Sequence, residues 1–204
     1  MKIVCISGKA QNGKDTTATI MAEMLKAQGE RVLIAHFGDL VKYVCKTFFA
    51  WDGKKDEKGR ILLQYVGTDK IRASSPDYWA DFIVSILDIF RDEWDYVLLP
   101  DCRFPNEYEI FEAYDMNAIL LRVVRPNFSS PLTPEQQQHL SETALDNYQY
   151  DATIINDGSM EDLKTAIADF VSNLKGENHE ASDDSVWRRR CGGEPAKPLD
   201  RVSE

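Results

Sequence analysis

Gly8, Gly13 and Lys14 stand in the spacing G-x-x-x-x-G-K, directly after the short apolar run Ile3 to Ile6 and before a stretch of helical character. That spacing suits a phosphate-binding loop. Glycines let the backbone fold tightly enough for its N–H groups to converge on phosphate oxygens, and the helix that follows aims its N-terminus at the same anion. Lys14 adds a mobile positive charge for the terminal phosphates of a nucleoside triphosphate. With Lys9, Gln11 and Asn12 inside the loop and Thr16 and Thr17 opening the helix, residues 8–17 make up the expected donor side. A plain glycine turn between strand and helix is the bland alternative. One residue departs from the common pattern: the hydroxyl that usually follows the lysine and binds Mg²⁺ is replaced by Asp15.

Other polar residues fall just after apolar runs that read as strands. They are Asp39 with Lys42, Asp101 with Arg103, and Arg125. Asp101 is placed to hold Mg²⁺, usually through its water shell, or else it is a turn or helix-cap carboxylate. Arg103 can reach phosphate from the same segment, since guanidinium suits bidentate phosphate binding, or it is a surface arginine. Gln64, Gly67, Thr68, Asp69 and Arg72 carry more polar groups than a core helix needs, and Gln and Asp can hydrogen-bond a base edge. Trp79 sits on an apolar helix face, where core packing is the first reading and stacking on a base the second. His139 and Glu142 belong to a polar cluster that either senses ligand or only caps a helix.

These groups need a scaffold that brings strand ends together. Short continuous apolar runs at Ile3–Ile6, Arg31–Ala35, Asp95–Pro100, Ala118–Val124 and Thr153–Ile155 alternate with helical stretches. Five such runs predict an α/β, three-layer αβα fold with a five-stranded parallel sheet, covered on both faces, with ligands at the carboxyl ends of the strands. The first helix is expected to bury Thr16, Thr17, Ile20, Met21, Met24 and Leu25. Residues 51–60, charged and glycine-punctuated, read as a mobile surface loop. Tyr78, Trp79, Phe82, Ile83, Ile86, Leu87 and Phe90 define the most amphipathic helix. Ser159 is expected to cap a last helix with Leu163, Ile167, Phe170, Val171 and Leu174 turned inward. Residues 1–175 then form one domain, with a region for the second ligand at about 36–92 and a lid at about 126–149. Residues 176–204 lack apolar periodicity and read as a disordered tail.

With 204 residues, 43% of them hydrophobic, the chain can bury one sizeable core. A formal net charge of −10 argues against a broad nucleic-acid-binding face, although a local basic pocket stays open. Cys5, Cys45, Cys102 and Cys191 form no C-x-x-C pair, which points to buried or inert thiols in a reducing cytoplasm. No stretch approaches the length of a membrane span, and the N-terminal apolar run is too short for a signal peptide.

The chain resembles the deoxynucleoside monophosphate kinases of tailed phages, within the wider P-loop nucleoside monophosphate kinase group. The likeness runs through most of residues 1–175. It rests on the loop G-K-A-Q-N-G-K-D-T, then L-Q-Y-V-G-T-D-K-I-R followed by D-Y-W, Y-V-L-L-P-D-C-R, V-V-R-P, H-L-S-E and I-I-N-D-G-S-M-E-D-L. Aspartate after the lysine matches a family variant. The resemblance implies transfer of the γ-phosphoryl of ATP, with Mg²⁺, to a deoxynucleoside 5′-monophosphate in the cytoplasm, of the host if phage-encoded. It implies Gly8 through Thr16 around the donor phosphates, with Thr16 on an inner one, and Asp15 and Asp101 organising the Mg²⁺ water shell. Asp39, Lys42, Gln64, Thr68, Arg72, Trp79 and Arg103 would face the acceptor, together with His139 and Glu142 from the lid. Arg125 would bridge donor and acceptor. The lid departs from the arginine-rich lids of adenylate kinases. Two rivals stay in view: another small-molecule kinase of this loop type, such as one acting on phosphomevalonate, and a nucleotide-dependent switch, against which stands the lack of an N-K-x-D element. Accepted bases and the choice between monomer and homodimer are left open.

Overall fold

A computed structural model describes residues 1–176. The chain divides into two compact units, Met1–Val171 and Ser172–Glu204, and all five strands belong to the first. The disordered-tail reading and Cys191 lie outside the described residues.

The strands form one all-parallel sheet in the order β2-β3-β1-β4-β5, with β1 at Lys2–Ser7, β2 at Val32–Ile34, β3 at Tyr96–Leu99, β4 at Asn117–Val124 and β5 at Ala152–Ile155. Central strands β1 and β3 are buried almost throughout, as expected for strands covered on both faces. The edge strand β5 leaves Ile155 exposed. Helices α1 (Lys14–Ala27), α2 (Gly38–Phe48), α3 (Glu57–Gln64), α4 (Tyr78–Ile89), α5 (Pro105–Ala113), α6 (Pro134–Gln138) and α7 (Leu140–Thr143) lie in the connections between strands, and α8 (Met160–Gly176) follows β5. The main core joins Ile3 and Cys5 of β1, Val97 and Leu99 of β3, Leu120 of β4, Val84 and Leu87 of α4, and Phe111 of α5. Cys5, Cys45 and Cys102 are buried free thiols.

Register decides which strand ends meet. Ile34 pairs with Leu98, so Phe37 and Asp101, each three residues further on, arrive side by side. Ser7 pairs with Arg122, which brings Gly8 against Val123; a Cβ on Gly8, whose φ is +147°, would stand 2.3 Å from the Val123 carbonyl oxygen. Glycine is therefore required there by close approach as well as by backbone angle.

Several expectations need correction. Residues 51–60 are only half a loop: Asp56 caps α3 by accepting from the Gly59 N–H, and α3 begins at Glu57. Gly59 is buried against the Lys54 carbonyl, where a Cβ would sit at 2.0 Å, so the charged run folds into a tight turn. In α1, Thr16 is exposed and Ala18 and Ala22 are buried in its place, because the helix presents its small residues to the sheet. In α4, Trp79, Ala80, Val84 and Leu87 are buried, whereas Tyr78, Phe82, Ile86 and Phe90 are exposed. Its apolar stripe is wider than one line of contact with the sheet can cover. The last helix behaves as expected: Ser159 Oγ accepts from the Asp162 N–H at 3.2 Å, and Leu163, Ile167, Phe170 and Val171 are buried.

Candidate active site

At the carboxyl ends of β1, β2 and β3 lies a cavity of about 450 Å³, a size typical of ligand pockets. Gln11, Lys14 and Asp15 form one of its walls. Gly13, with φ +100°, ends the loop and opens α1, and Gln11 also takes a left-handed backbone. Lys14 is almost fully buried, and its ammonium donates to the Gly8 and Lys9 carbonyls at 2.7 and 3.0 Å. Burial, followed by the Arg103 cation, holds it down at about 8, partly offset by Glu142, Asp15 and Asp101. Asn12 has a scaffolding position: its amide donates to the Val123 carbonyl, and its own backbone carbonyl accepts from Asn156. Thr17 is buried, with no partner for its hydroxyl among the described residues, and neither it nor Thr16 reaches the cavity.

The opposite wall comes from α2, α3 and a π-helical segment, Tyr65–Arg72, that continues α3. Such wide turns are rare and often mark functional sites. Gln64, Thr68 and Arg72, four residues apart, all line the cavity. Trp79 also lines the cavity, 2% exposed, with its indole N–H donating to the Gly67 carbonyl at 2.8 Å. It packs with Val41, Cys45 and Val66 while giving the cavity part of its lining, so both the packing and the ligand-facing positions are met. Lys42 lines the cavity, while Asp39 does not: its carboxylate pairs with Lys42 at 2.7 Å and lies 3.4 Å from His36.

Between the walls runs the segment after β3. Asp101 places one oxygen on the Phe37 N–H at 3.0 Å and the other on the Gly38 N–H at 2.8 Å, so it caps α2. Arg103 donates to the Ser141 carbonyl and to the Glu142 carboxylate. Glu142 also accepts from the Ala10 N–H at 3.1 Å, and Lys9 pairs with Asp146 and with the Glu142 carbonyl. The expected lid therefore rests on the phosphate loop, with a carboxylate where an anionic ligand oxygen could lie. His139 is not brought to the cavity; it caps α7 and lies 3.5 Å from Asp69. Arg125 is not brought there either. It is exposed, stacked on Phe128 at 4.5 Å, because the chain turns away after Val124 through Pro126 and Asn127.

Some cavity residues have no local signal in the sequence that marks them as ligand-facing. Lys55 and Arg60 belong to the charged run expected to be a loop. His36, 3.3 Å from Asp15, is held above its usual range first by that contact, and its place at a strand end was the available clue. Glu107 is fully buried, its carboxyl pushed up by burial to about 7 against the pull of Arg72 and of backbone N–H groups.

Residues 39–167 match the family model described as deoxynucleotide monophosphate kinase. The chain belongs to this family. Its relatives include the deoxynucleotide monophosphate kinases of Enterobacteria phage T4, 36% identical over 117 residues, and of Escherichia phage RB69, 32% identical over 110. Those matches cover 56% and 53% of this chain but 46% and 42% of the phage proteins, so the chain matches less than half of their length. The APS kinase of Mycobacterium tuberculosis in complex with AMPPNP and APS is 11% identical, with a TM-score of 0.48 over 85% of this chain and 97% of that one.

Among the described residues no group of three or more His, Cys, Asp or Glu side chains could hold a metal unaided. A Mg²⁺ ion bound through nucleotide phosphates needs only one or two carboxylates and water. Asp15, with its side chain 81% exposed, and Asp101 both line the cavity, and this donor set fits such an ion.

Proposed function

We propose that this protein transfers the γ-phosphoryl of ATP to a deoxynucleoside 5′-monophosphate, giving the diphosphate and ADP. The observation that supports this reading best is the two-sided cavity: the phosphate loop with Lys14 on one wall, and Gln64, Thr68 and Arg72 on the other, with Arg103 between them. A switch that only bound a nucleoside triphosphate would have no use for the second wall.

Phosphoryl transfer asks for in-line positioning and neutralised charge more than for covalent help. Lys14 leaves its two loop carbonyls for the donor phosphates and follows the charge as it moves. Arg103 neutralises the group in transit from the segment between the walls. Gln64, Thr68, Arg72 and Lys42 bind and orient the acceptor. Asp15 and Asp101 would hold Mg²⁺ through water, and the ion supplies charge neutralisation at the phosphates. Residues 126–149 act as the lid that excludes water, which would otherwise accept the phosphoryl group. Residues 36–92 form the acceptor region of a kinase domain spanning 1–175.

A coupled assay for ADP release with ATP, Mg²⁺ and a panel of monophosphates tests this. ADP release that depends on a deoxynucleoside monophosphate is expected. Transfer to mevalonate phosphate but to no nucleotide would overturn it, as would triphosphate hydrolysis equally fast with and without any monophosphate.

A further inference from the structure

Arg72 is held in place by more contacts than stability alone requires. Its Nη1 donates to the Pro76 carbonyl at 3.0 Å and to the Asn106 side chain at 3.3 Å, and its guanidinium lies on the Phe104 ring at 3.9 Å. Its Nη2 donates to Glu107 Oε1 at 2.6 Å. Among the described residues its Nε is buried with no partner. The side chain lines the cavity, so a guanidinium fixed on these sides is a rigid part of that wall.

Glu107 is the third residue of α5, where a carboxylate commonly folds back on the backbone that starts its helix. It does so here: Oε2 accepts from the Arg103 N–H at 2.7 Å and from the Phe104 N–H at 3.1 Å. Such capping groups are ordinarily solvated, whereas the side chains of Glu107 and Arg72 are only 3% and 11% exposed. A buried ion pair is a poor source of net stability, because desolvation offsets the attraction. Orientation explains it better. One carboxylate ties the π-helical wall to the backbone that carries Arg103.

Resting on the proposed kinase function, we propose that Glu107 is a positioning residue for the acceptor. It locks Arg72 and the Arg103–Phe104 backbone into one unit that holds the Arg72 guanidinium in the cavity wall facing the deoxynucleoside monophosphate. Glu107 itself does not touch the reacting atoms.

Steady-state kinetics of Glu107→Gln, Arg72→Lys and the double variant test this, with thermal melting to confirm folding. Glu107→Gln is expected to raise the acceptor KM roughly tenfold or more, from a lost charge-assisted bond, with the ATP KM changed less than about twofold. In the Arg72→Lys background the same change should add little, since the two act as one unit. If Glu107→Gln does not fold, Glu107→Asp keeps the charge and should raise the acceptor KM alone, by a smaller factor. Acceptor KM unchanged, equal rises in both KM values, or additive effects in the double variant would overturn the proposal while leaving the kinase function intact. Absence of any deoxynucleoside-monophosphate-dependent turnover in the wild type would overturn both.

Discussion

At the scale of single residues, two charges at the phosphate loop carry the sharpest consequences. Lys14 is buried and bonded to two loop carbonyls, so its charge is kept close to where donor phosphates would lie. Lys14→Ala should lower kcat by at least about a hundredfold, the scale of losing one preorganised charge, while the acceptor KM moves little. Unchanged turnover would remove the loop from the chemistry. Glu142 makes the opposite case. Its carboxylate occupies the Ala10 N–H and the Arg103 guanidinium, groups that an anionic ligand would want. Glu142→Gln should therefore tighten binding of a non-hydrolysable ATP analogue several-fold by calorimetry, because less of the resting protein is closed against it. Equal or weaker binding would show that the carboxylate does not compete.

At the scale of elements, the starts of β2 and β3 are tied by Arg31, which makes two side-chain hydrogen bonds to Asp95, at 3.1 and 2.8 Å. Those bonds hold the Asp95 carboxyl down at about 2. A depressed carboxylate adds stability above its ordinary value near 3.8 and loses it as pH falls toward 2. Asp95→Asn should thus lower Tm slightly at neutral pH, and the difference should vanish by about pH 2. Added salt should shrink it, since the pair is exposed. A difference that persisted at pH 2 would assign the effect to shape instead of charge. The π-helical segment is the other element of note. Its amphipathic pattern is legible as helix from Ile61 onward, but the switch to wider turns is not. The Trp79–Gly67 hydrogen bond that anchors it joins residues twelve apart across the helix break at Pro76.

At the scale of the whole molecule, α5 couples core to site. Phe111, wholly buried among strand residues, lies one turn beyond Glu107 on the same helix. Phe111→Ala should lower unfolding free energy by about 3–5 kcal/mol in denaturant titration, the usual cost of a large core cavity. A loss under about 1 kcal/mol would mean that the helix is not seated by that ring. The alternation of five apolar runs with helical stretches was enough to derive a parallel three-layer sheet. The spacing of Gly8, Gly13 and Lys14 was enough to derive the loop at its edge, because both signals are local. Sorting by strand ends picked Asp101, Arg103 and Lys42, which line the cavity, and also Asp39 and Arg125, which do not, since parallel strands deliver their carboxyl ends to one edge but not each side chain to one cavity. Contacts between distant segments were decided only by packing. Arg72 and Glu107 are 35 residues apart, and Ala10 and Glu142 are 132 apart. No periodicity records such pairs. Packing likewise turned Arg125 out to solvent, buried Trp79 at the cavity wall, and left part of α4's apolar stripe uncovered. A side chain's neighbours depend on register and on the angle at which its element packs, and neither is written in local spacing.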